Sequence, residues 1–122
     1  MKTGIELIAQ ERKEQIEKHG FTPESDMLYV NDELVQASKC CEEKVGRGVG
    51  FTNIKHPWPK GWSRHHADTI RAKSDIGKLI VAGAFLLADD DRRYNSGADR
   101  IHHSEINRIA TEIDRLRNSQ TS

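Results

Sequence analysis

The sequence predicts an all-α fold: one domain over residues 1–122, a four-helix bundle-like unit with a long loop, rich in tryptophan and proline, between its second and third helices. Three observations lead there. Apolar residues recur at intervals of three and four in four separate segments, which is the period of one helix face. No segment shows the two-residue alternation of a half-buried strand, and no such pair flanks an Asn-Gly or Asp-Gly turn. Glycine and proline cluster mainly between the periodic segments, where they break helices.

The first helix is predicted over residues 4–19. Thr3 and Glu6 have the spacing of a capping box, each side chain meeting the other's free backbone N–H. Ile5, Ile8, Arg12 and Ile16 follow at helical spacing, and Gly20 is placed to end the run. The segment 21–24 turns at Pro23. Met27, Val30, Leu34, Ala37, Cys41 and Val45 then form the stripe of a second helix, predicted over 27–46. Periodicity disappears over 46–67, where four glycines and Pro57 and Pro59 surround both tryptophans of the chain, Trp58 and Trp62. Loops of about twenty residues are uncommon in a small domain and tend to be functional or disordered. The third helix is predicted to begin between Asp68 and Ser74 and to run to about Arg93. Its middle is apolar all round, as for a helix surrounded by others, and Ala82-Gly83-Ala84 permits close approach of another backbone. A fourth helix follows from about Asp99, with Ile106, Ile109, Ile113 and Leu116 as its seam and Glu105/Arg108 and Glu112/Arg115 as surface pairs. Residues 118–122 are expected to fray.

Composition narrows the function. Nineteen basic residues balance nineteen acidic ones, which removes the electrostatic footprint of a protein that coats DNA. The chain is 35% hydrophobic and 31% charged, with a mean hydropathy of −0.74, so its core is thin and a homodimer is the expected way to bury more surface. The most apolar stretch, 76–88, is about 13 residues and contains Lys78, too short to span a membrane. Cys40 and Cys41 are adjacent and cannot staple distant segments, and Met1-Lys2-Thr3-Gly4 leads into an amphipathic helix without a signal peptide's apolar core. A cytoplasmic location is expected.

Several side chains invite a chemical role. On the first helix Leu7, Glu11, Glu14 and Lys18 share a face, flanked by Arg12 and Gln15. Glu14 and Lys18 suit a surface ion pair, whereas Arg12 lies on the isoleucine line, points toward protein and needs a carboxylate or a phosphate as partner. Glu33 stands at the edge of the second stripe, where a carboxylate faces either a cleft or the rim. Asp75, near a helix start, is accounted for by the helix dipole, while Asp89-Asp90-Asp91 near a helix end opposes it and is read as a solvated terminus. Cys40, Cys41, His56, His65, His66, His102 and His103 lack the paired spacing of a zinc site. Trp58 and Trp62 are placed either to stack on a nucleobase or to plug one end of the bundle.

The run Glu11-Arg12-x-x-Gln15-x-x-x-His19-x-x-x-Pro23 resembles the first helix of small MazG-like all-α nucleoside triphosphate pyrophosphohydrolases. Asp32-Glu33-Leu34-Val35-Gln36-Ala37 is similar to that family's acidic second-helix segment. The loop with its tryptophans and prolines, the Ala-Gly-Ala helix and the Asp-Arg ending resemble MazG-like proteins of phages and prophages.

The resemblance implies an Mg²⁺-dependent hydrolysis of a (deoxy)nucleoside triphosphate to the monophosphate and pyrophosphate. The family uses two acidic pairs, Glu-x-x-Glu and Glu-x-x-Asp, whose three-residue spacing aims each pair at a metal bound to the phosphates. Here Val30 stands where the first glutamate of one pair belongs, and Lys78 where the closing aspartate of the other belongs. The implied assignment makes Glu33 and Asp75 metal ligands and Glu11, Glu14 and Glu33 catalytic. Arg12, Gln15, Lys78, Trp58 and Trp62 then contact substrate. A non-catalytic helical protein that binds nucleotides, or dimerises through Ala82-Gly83-Ala84 and the last helix, is the alternative.

Overall fold

In the computed structural model, residues 2–18, 32–46, 57–62 and 64–121 are described, and all of their regular structure is helical. The elements are α1 (Gly4–Lys18), α2 (Glu33–Glu43), α3 (Arg64–Arg71), α4 (Asp75–Asn95) and α5 (His103–Thr121). The expected turn at 20–24, the first part of the second helix with Val30, and most of the loop before Pro57 lie outside the described residues.

Each helix start has a local cause. Thr3 and Glu6 form the expected capping box, with Thr3 N donating to Glu6 Oε1 at 3.1 Å and Glu6 N to Thr3 Oγ1 at 3.3 Å. These bonds hold the Glu6 carboxyl below its ordinary value. Ser74, in an extended conformation, caps α4 by accepting from Gly77 N at 3.1 Å. That cap separates α3 from α4 and corrects the expectation of a loop reaching residue 67. Ala67 and Ile70, buried at helical spacing, supply enough apolar contact for an eight-residue helix. At α5 the cap comes from a distance: the Asp90 carboxylate accepts from Ile101 N at 2.8 Å and His102 N at 3.1 Å. This helix runs to Thr121, beyond the expected fraying point.

Helix α4 is the spine, with α1, α2 and α5 packed along it and α3 touching it more lightly. Its all-round apolar middle answers to this position: Leu79, Val81, Ala82, Ala84, Phe85, Leu86 and Ala88 are all buried. The α2 helix runs antiparallel to it. Ser38 Oγ donates to the Ala82 carbonyl at 2.8 Å, Lys78 Nζ to the Lys44 carbonyl at 3.1 Å, and Gly46 N to Asp75 Oδ1 at 2.9 Å. Ile8 of α1 sits over Gly83, where a Cβ would come within 2.6 Å of Ile8 Cδ1. The Ala-Gly-Ala cluster is thus consumed inside the chain, by α1 on one side and α2 on another, and is not a free dimerisation face. Gly4 likewise lets α1 meet α5: a Cβ there would collide with the Ala110 carbonyl, and its N–H reaches Asp114 Oδ1 at 2.8 Å.

Candidate functional site

The sequence-predicted residues are spread along α4. Arg12 and Gln15 lie toward its C-terminal end, and Glu11 and Glu33 just past its middle. Ile8 opposite Gly83 and Ser38 opposite Ala82 put Glu11 and Glu33 both level with about residue 87 of α4, at 1.5 Å rise per residue. Asp75 and Lys78 are at the other end, next to the C-terminus of α2. Twelve residues of helix separate those levels, about 18 Å. Two oxygens on one Mg²⁺ lie about 3 Å apart, since each bond is close to 2.1 Å. Glu33 and Asp75 therefore do not share a cation, which corrects the metal pair implied by the resemblance. Glu14 faces a separate depression on the outer side of α1, with Gln10, Lys13 and Glu17.

At the C-terminal end the aspartates of α4 are bound into the fold. Asp89, 2% exposed, accepts from His102 Nε2 at 2.7 Å and from Arg92 Nε at 3.0 Å. Burial pushes its carboxyl up, but the bonds from His102 and Arg92 outweigh this and hold it below the ordinary value. Asp90 caps α5, and Asp91 bridges Arg12 Nε at 3.2 Å and Arg100 Nη1 at 2.6 Å. The expectation of a solvated helix end is corrected here: the charge that opposes the dipole is met by partners from α1, from α4 itself and from the turn before α5. Arg12, 5% exposed, has the interhelical carboxylate that its place on the apolar line required. Gln15 continues that buried face, and its Oε1 has no hydrogen-bond partner among the described residues. No group of three or more His, Cys, Asp or Glu side chains suited to a metal ion occurs among the described residues. The residues present do not fit the implied Mg²⁺, and no chemistry is routed through it.

At the N-terminal end of α4 the picture is different. A cleft of about 440 Å³ opens between the C-terminus of α2, the segment 57–62 and α3. Trp58 and Trp62 form one wall. They meet edge to face, with centroids 5.3 Å apart, and both pack against Phe85 of the core at 5.9 and 5.7 Å. The rings thus pack against the core as a plug would, and they also line an opening. Lys44, Lys60, Arg64 and Arg71 bring four cations to the lining, against the single carboxylate of Asp68. None of the four forms an ion pair among the described residues. Lys78 stands behind them, 2% exposed, its ammonium on the Lys44 carbonyl and 3.9 Å from Asp75. It caps the end of α2 and is not positioned as the direct phosphate contact expected of it.

Sequence reading missed Lys44, Lys60, Arg64 and Arg71. A signal for two of them was present: Arg64, Ala67, Asp68 and Arg71 follow at three, four and seven residues, one face of a helix. Gly61 and the prolines before it hide that face, since they make the segment look like loop. Cys40 and Cys41 lie behind the cleft with their thiols pushed up, chiefly by burial, so they are neutral and unreactive.

No helix among the described residues is long and apolar enough to cross a membrane. No family model matches the chain, and no match to it was found among curated proteins or solved structures.

Proposed function

We propose that this protein is a MazG-like nucleotide-binding protein and that its ligand, a (deoxy)nucleoside triphosphate, occupies the cleft beside Trp58 and Trp62. One observation carries the reading: two tryptophans and four cations that form no ion pair among the described residues line a single opening. Its volume is that of a small-molecule site. A base has a π-face to lay on an indole, worth roughly 1–3 kcal/mol, and phosphates match lysine and arginine. The resemblance in α1 and α2 supports the nucleotide class. Release of pyrophosphate with Mg²⁺ is the activity that resemblance implies; the scattered carboxylates put binding ahead of turnover. A homodimer belongs to the same proposal, on the ground of the thin core, and sedimentation equilibrium measures it.

Intrinsic fluorescence tests the reading directly, because the chain has only two tryptophans and both line the cleft. Titration with the four deoxynucleoside triphosphates and their ribose counterparts is expected to give a saturable change, and a parallel assay records pyrophosphate. A flat response to every nucleotide would overturn the proposal. Pyrophosphate release that survives removal of both tryptophans would move the site to the other end of α4.

A further inference from the structure

We infer that Lys44 and Arg71 form a phosphate subsite that receives the ligand's phosphate chain without a metal ion. The inference rests on the reading that this cleft is the ligand site, and adds how the phosphates are held.

Lys44 is 1% exposed, yet no carboxylate pairs with it among the described residues. Its side chain borders the cleft on one side and the neutral thiol of Cys40 on the other. Burying an ammonium is costly unless an anion accompanies it. Arg71 is half-buried on the same lining, and its Nε is shielded from water with no hydrogen-bond partner. Among the described residues, a buried ammonium bonded only to a thiol and a half-buried guanidinium line one opening with no carboxylate on either, and together they define a place for an anion. Lys60 and Arg64, exposed at the mouth, extend the positive potential outward and draw an anion in.

The same lining is hostile to a divalent cation. Mg²⁺ is held by oxygen, and Asp68 is the one carboxylate among the lining residues, outnumbered by four positive charges. Asp75, the nearest acidic residue of α4, has Oδ1 on the Gly46 N–H and Lys78 within 3.9 Å. Fixed cations thus take the neutralising role that a metal has elsewhere, and guanidinium and ammonium donors bind phosphate oxygens by charge-assisted hydrogen bonds.

Isothermal titration calorimetry of the full chain with inorganic triphosphate, a nucleoside triphosphate and the matching nucleoside, each in Mg²⁺ and in EDTA, tests this. The expected result is triphosphate binding that changes by less than about threefold on chelation and weakens steeply with salt. Arg71→Gln is expected to weaken both phosphate ligands about tenfold or more and to leave the nucleoside unchanged, with Arg71→Lys in between. Arg71 carries the test because Lys44 is buried and its replacement perturbs the fold; circular dichroism verifies each variant. Nucleotide binding that vanishes in EDTA overturns the metal-free subsite and leaves the nucleotide reading standing. Inorganic triphosphate that binds as tightly as any nucleotide does the reverse. If neither binds, both fall.

Discussion

At the C-terminal end of α4, Asp89, Asp90 and Asp91 each meet a donor from another turn or helix: Arg92 and His102, the start of α5, and Arg12 with Arg100. At its N-terminal end, Lys44, Lys60, Arg64 and Arg71 surround an opening and form no ion pair among the described residues. Both ends are dense in charge, and both draw residues from several elements. The difference lies in whether the fold itself supplies the counter-charge. Where it does, the ionic group is part of the architecture, fixing the register of α1, α4 and α5. Where the described residues supply none, charge gathered around an opening has the character of a binding site.

Substitutions at the two ends should therefore behave oppositely. The largest loss of stability is expected for Asp89→Ala, which strands Arg92 and His102 beside a buried void; about 3–5 kcal/mol should disappear from the urea-unfolding free energy, with ligand affinity of the folded fraction unchanged. Between the ends, Gly83→Ala should cost about 1–3 kcal/mol despite alanine's better helix propensity, because the methyl enters the volume of Ile8. Adding Ile8→Val should recover part of that in the same unfolding experiment. A pH series sharpens the contrast further. The Asp89 carboxyl is depressed in the folded chain, so its contribution is complete above the unfolded value near 4 and is lost as pH falls through the lower folded value. In Asp89→Asn this share of the acid-side slope should vanish from denaturation midpoints measured between about pH 2 and 6. The smallest change is expected for Arg71→Gln, within about 0.5 kcal/mol of the parent, since no ion pair among the described residues is lost. A loss of several kcal/mol there would assign Arg71 to the architecture and erase the contrast.

Much of the fold was legible in the residues because helices of one domain announce themselves by period. The capping box at Thr3, the buried middle of α4, the seam of α5 and the inward turn of Arg12 are all properties of local spacing. What escaped was non-local. Nothing in Asp89-Asp90-Asp91 says that His102, Arg12 and Arg100 will come to it, since those partners arrive through packing. Lys44 and Arg71 sit 27 positions apart in the sequence and join only because α2 runs antiparallel to α4 while α3 folds back on its start. The acidic pairing implied by the family resemblance failed for the same reason in reverse. Glu33 and Asp75 each occupy a helix beginning, and antiparallel packing sends the beginnings of neighbouring helices to opposite ends.

Nuclear magnetic resonance observation of the two indole N–H signals, with the backbone amides assigned, decides whether the cleft or the carboxylates of α1 and α2 form the ligand site. On addition of a nucleoside triphosphate, both indole signals and the amides around Lys44 and Arg71 should shift, while those of Glu11, Glu33 and the Asp89–His102 contact stay in place. Stationary indoles with shifts gathered at Glu11 and Glu33 would contradict it, and would return the site to the carboxylates of α1 and α2.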